Sequence, residues 1–81
     1  MPIVGVLDGI TFKMYFQQEE HNPPHVHAFY GDGVDIIYIN NDRPQAGTLK
    51  EQQKRIAKDW VEAHKDALLE MWNKQDFKKI S

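Results

Sequence analysis

The 81-residue chain contains no cysteine. That absence excludes a disulfide scaffold, a thiolate metal site and a cysteine nucleophile. Serine is almost as scarce: Ser81 is the only one, which leaves no serine nucleophile inside the chain. No apolar run approaches the roughly 20 residues that a bilayer crossing needs, and no secretory signal pattern opens the sequence. A cytoplasmic protein that does not engage a membrane is therefore expected. Excess positive charge is lacking too, with 10 Lys and Arg against 12 Asp and Glu, so nucleic acid is not the default partner. Glycine-rich phosphate loops, repeats and low-complexity stretches are absent.

What is present is 41% hydrophobic residues in a 9.5 kDa chain, enough for one small domain spanning residues 1–81. Below about 80 residues a core leaves only a few kcal/mol to spare. A second copy or a partner protein is therefore expected. The charge divides along the chain. Residues 1–48 hold two cations, Lys13 and Arg43, against six acids, a net of −4, whereas residues 49–81 hold eight cations against six acids, a net of +2. Lys50, Lys54, Arg55 and Lys58 read as a solvated helix face.

The pattern predicts an α+β fold: an antiparallel sheet of about four strands in residues 1–47, made of two hairpins, with one long helix over about 49–73 packed on one face and a polar, fraying tail over 74–81. Asp8-Gly9 between the apolar runs Ile3 to Leu7 and Ile10 to Phe16 signals a two-residue type I′ turn. That turn sets Leu7 against Ile10, Gly5 against Phe12 and Ile3 against Met14. A three-residue loop, Gly31-Asp32-Gly33, predicts the second hairpin, with Tyr30 paired to Val34 and Ala28 to Ile36. In that register His25, His27, Phe29, Asp35, Ile37 and Ile39 share a face. Thr48 and Glu51 have capping-box spacing. Ile56, Trp60, Val61, His64, Leu68 and Trp72 then recur at helical spacing, which reads Trp60 and Trp72 as core anchors and His64 as a core histidine.

One stretch carries chemistry. Glu20-His21-Asn22-Pro23-Pro24-His25-Val26-His27 places three histidines within seven residues. On a strand His25 and His27 point to the same side, about 6.6 Å apart at Cα from a rise of ~3.3 Å per residue. At that spacing two imidazoles can share a divalent transition ion such as Zn or Ni. His21 and Glu20 are candidate further ligands, as is Asp35. The same pair, His25 and His27, is a candidate acid and base. Two half-exposed histidines on a strand also need no ligand at all, and a histidine beside Pro-Pro often bonds the backbone. Phe29, Ile37 and Ile39 are candidate partner-binding residues, because a single helix covers only one face of a sheet.

On Glu20-His21-x-Pro23-Pro24-His25-Val26-His27, with the Asp8-Gly9-Ile10 turn, Tyr15, Gly47 and the Trp60, His64, Leu68, Trp72 helix, the chain resembles the bacterial family of domain of unknown function 4160. The resemblance covers nearly the whole chain. It implies a small cytoplasmic protein encoded beside a second small protein, in an arrangement that suggests toxin–antitoxin pairs. Two functions follow as expectations: one half of such a pair acting through protein–protein interaction with a cognate protein or a second copy, or a small histidine- or metal-dependent hydrolase, with RNA as its natural substrate.

Overall fold

The structure is a computed structural model that describes residues 2–15 and 23–80. Its strands are β1 (Ile3–Leu7), β2 (Ile10–Lys13), β3 (His25–Tyr30), β4 (Gly33–Tyr38) and β5 (Ala46–Gly47), and its helices are α1 (Glu51–Ala63) and α2 (Lys65–Lys74). The strands form one antiparallel sheet in chain order, β1-β2-β3-β4-β5. The α+β class holds, with a fifth short strand beyond the two expected hairpins and with two helices in place of one. Among the described residues no helix is long and apolar enough to cross a membrane.

The first hairpin turns at Asp8 and Gly9, whose φ values of 49° and 80° are both positive as a type I′ turn requires. Leu7 pairs with Ile10 and Gly5 with Phe12, as the sequence indicates. Beyond Gly5 the register shifts, and Ile3 pairs with Lys13 rather than Met14. Because of this irregularity Val4 enters the core and Ile3 is exposed. At Gly5 any β-carbon would collide with Cζ2 of Trp60. The missing side chain lets the indole lie flat on the sheet, stacked on Phe12 with centroids 4.0 Å apart and planes 9° from parallel.

The second hairpin differs by one residue. Its turn is two residues long, Gly31-Asp32, with Gly31 at φ 58°, so Tyr30 pairs with Gly33, Phe29 with Val34, His27 with Ile36, Val26 with Ile37 and His25 with Tyr38. A one-residue slip turns every side chain of β4 to the other side of the sheet. Ile37 and Ile39, expected beside the histidines, instead lie in the core at 4% and 3% exposure, and Asp35 turns inward with them. The slip exchanges Val34, Ile36 and Tyr38 for Asp35, Ile37 and Ile39 on the core side.

The core joins Val4, Ile10, Phe12, Met14, Val26, Ala28, Ile37 and Ile39 of the sheet region to Leu49, Ala57, Trp60, Val61, Leu68, Met71 and Trp72. The expected helical stripe is therefore largely correct. The helix is interrupted at His64 (φ −111°, ψ 21°), whose N–H is shared between the carbonyls of Trp60 and Val61. His64 is half-buried against Trp60, with centroids 4.6 Å apart. Thr48 does not cap α1. The N-cap is Lys50, without a side-chain bond, and the Thr48 hydroxyl accepts the N–H of Val34. The tail does not simply fray: Phe77 and Ile80 pack on the core, and the Ile80 N–H donates to the Val4 carbonyl at 2.6 Å.

Candidate functional site

β2, β3 and β4 alternate along their length, and the sides opposite the core carry Thr11 and Lys13, then His25, His27 and Phe29, then Val34, Ile36 and Tyr38. All eight are half-buried, whereas the buried residues of both helices join the core on the other face, Trp72 also reaching His25. Of the expected partner-binding residues, Phe29 belongs to this open face and Ile37 and Ile39 do not. Val34, Ile36 and Tyr38 take their places.

The histidine pair lies at the centre of an aromatic cluster. The rings of His25 and His27 are 5.3 Å apart between centroids, with planes inclined at 66°. Tyr15 meets His27 edge-on at 4.6 Å, and Phe29 flanks it at 6.3 Å. Tyr38 and Trp72 lie 5.8 Å and 5.1 Å from His25. Two cations border the cluster: Lys13 Nζ stands 4.9 Å above the Phe29 ring, and the Arg43 guanidinium 5.6 Å from that of Tyr38. These are the two cations of residues 1–48.

The two imidazoles are held differently. Nδ1 of His25 lies 2.9 Å from the Pro23 carbonyl. A carbonyl only accepts, so this nitrogen carries the proton and Nε2 keeps its lone pair. The extended Pro23-Pro24 backbone that leads into β3 supplies that carbonyl. Nδ1 of His27, in contrast, is buried without a hydrogen-bond partner among the described residues. Burial, assisted by the neighbouring His25, holds the His27 pKa below its ordinary value of 6.5. His27 is thus a neutral imidazole in neutral solution.

Among the described residues no group of three or more His, Asp or Glu could hold a metal ion. Glu20 and His21 lie outside the described residues. Asp35 points away from the histidines. It is buried, and its carboxylate accepts from Lys54 Nζ at 2.8 Å, Gln45 Nε2 at 2.9 Å and the Leu49 N–H at 3.0 Å. Burial alone would raise its pKa. The hydrogen bonds from Lys54, Gln45 and Leu49, together with the Lys54 charge, outweigh that and hold it below 3.8. Lys54 therefore leaves the solvated basic face to pair with Asp35. Nothing in the sequence signals this contact, since the partners are far apart in the chain and neither belongs to a motif.

A family model described as domain of unknown function (DUF4160) matches residues 9–73. The chain belongs to that family. The matched span runs from the first hairpin turn through the histidine motif to α2. Neither the curated proteins nor the solved structures provided a match.

Proposed function

We propose that this member of the DUF4160 family is one half of a cytoplasmic toxin–antitoxin-type pair and works by docking a cognate small protein on the open face of its sheet. One observation supports the reading above others: Phe29, Val34, Ile36 and Tyr38 lie side by side, half-buried, on the side of the sheet opposite the core, where Trp72 of α2 meets the neighbouring His25. A contiguous apolar surface on a small charged domain marks an interaction site. Lys13 and Arg43 flank it, so the complementary surface combines apolar groups with acidic side chains.

The test is co-purification of the chain with the small protein encoded beside it, followed by titration of the purified partners. Phe29→Asp and Ile36→Asp each place a charge at the centre of the contact and should weaken binding at least about 30-fold, or about 2 kcal/mol. Unchanged affinity in both variants overturns the reading.

A second reading, a histidine-dependent ribonuclease, is favoured by one observation: Lys13 lies directly across the β2–β3 ladder from His27. Its ammonium can hold a phosphate while one imidazole takes a proton and the other returns it. A ribonuclease assay in which His25→Ala cleaves RNA as fast as the parent chain removes this reading.

A further inference from the structure

We propose that His25 and His27 together bind one divalent transition-metal ion, of the Zn, Ni and Cu class, through Nε2 of His25 and the buried Nδ1 of His27. Three observations converge on this pair. The first is spacing. An imidazole nitrogen bonds zinc at about 2.0–2.1 Å, which puts each ring centroid about 3.2 Å from the ion and two tetrahedrally placed rings about 5.2 Å apart. The observed separation is 5.3 Å. The second is orientation. His25 donates its Nδ1–H to the Pro23 carbonyl, the arrangement that fixes the tautomer of a ligating histidine and directs its other nitrogen to the ion.

The third observation is His27 Nδ1 itself. A buried polar atom without a partner among the described residues is destabilising, and coordination would offset that. Among the described residues no third acidic or imidazole ligand joins the pair. Imidazole donors select the Zn, Ni and Cu group over Mg and Ca. The proposal is independent of the docking and ribonuclease readings: it concerns binding only and survives the failure of either.

Untagged protein titrated with Co(II), a coloured substitute for zinc, should take up one ion per chain and release it to Zn(II). His27→Phe keeps an aromatic ring against Tyr15 and Phe29, so it preserves the packing while removing a ligand, and should weaken uptake at least tenfold. His25→Phe should do the same. In the wild-type chain, Co(II) should shift or broaden the ring protons of His25 and His27 before those of His21 or His64, a readout that needs no variant to fold. Absence of saturable uptake, uptake unaltered in a folded His27→Phe chain, or broadening centred on His64 overturns the proposal.

Discussion

Burial keeps His27 neutral, and its Nδ1 lacks a partner, so the imidazole costs stability that a plain aromatic ring would not. Replacing a buried, unsatisfied polar group with an apolar one of similar shape is neutral or stabilising. His27→Phe should therefore melt at the same temperature as the parent chain near pH 8, or higher by up to about 1 kcal/mol of stability. The difference should widen in acid. A histidine whose folded pKa lies below 6.5 gives its full stability above 6.5 and loses it as pH falls through the lowered folded value. The variant lacks that slope. Thermal melts at pH 8 and pH 5 check this. A variant less stable than its parent at both values would mean that Nδ1 has a structural role. The histidine spacing was legible in the sequence because strand alternation has a period of two, which is enough to put residues 25 and 27 on one side. The tyrosine and tryptophan packed around them were not legible: Tyr15 reaches His27 across a strand pairing, and Trp72 arrives from α2.

At the scale of elements, Asp35 latches β4, β5 and α1 together. Its carboxylate binds Lys54 and the Leu49 N–H where the chain enters α1, and Gln45 just before β5. Gly47, at φ 151°, passes so close that a β-carbon there would collide with Oδ1 of Asp35 and the Val34 carbonyl. Removing one partner of a buried ion pair costs about 3–5 kcal/mol. Lys54 is 29% exposed, so the lower end applies, and Asp35→Asn should lose about 3 kcal/mol near neutral pH. Because the folded pKa lies below 3.8, the contribution is complete above that value and is lost as pH falls through the folded pKa. Urea melts of the two chains should therefore converge as pH falls below 3.8; a gap that stays constant with pH would exclude the charge as its cause. The latch follows from the register of the second hairpin, which the sequence leaves ambiguous. Gly31-Asp32-Gly33 allows a two- or three-residue loop, and the local pattern does not decide whether Asp35, Ile37 and Ile39 or Val34, Ile36 and Tyr38 face the core. The Asp8-Gly9 turn carries no such ambiguity, and it was read correctly up to the irregularity at Val4.

For the molecule as a whole, the scarce quantity is stability. A chain of 81 residues holds about 4–12 kcal/mol in total, and β1 is an outer strand whose own residues Ile3, Val6 and Leu7 are exposed. A bare, apolar outer strand invites pairing with other chains. The segment after α2 counters this. Gln75 ends the helix in a left-handed conformation with φ 55°, the Asp76 N–H returns to the Met71 carbonyl, and the Ile80 N–H reaches the Val4 carbonyl of β1. Phe77 and Ile80 lie partly buried on the core, each worth of order 1 kcal/mol at that degree of burial. Deleting residues 76–81 should thus remove about 2 kcal/mol and lower the melting temperature by roughly 10 °C, at 4–8 °C per kcal/mol for a domain of this size. It should also make the chain associate as its concentration rises, detectable by light scattering. Phe77→Ala/Ile80→Ala separates the two effects, because it keeps the backbone bond to Val4 while losing the packing. That variant should melt early yet stay dispersed. A deletion chain that melts within about 2 °C of the parent would show that the tail contributes nothing to the fold.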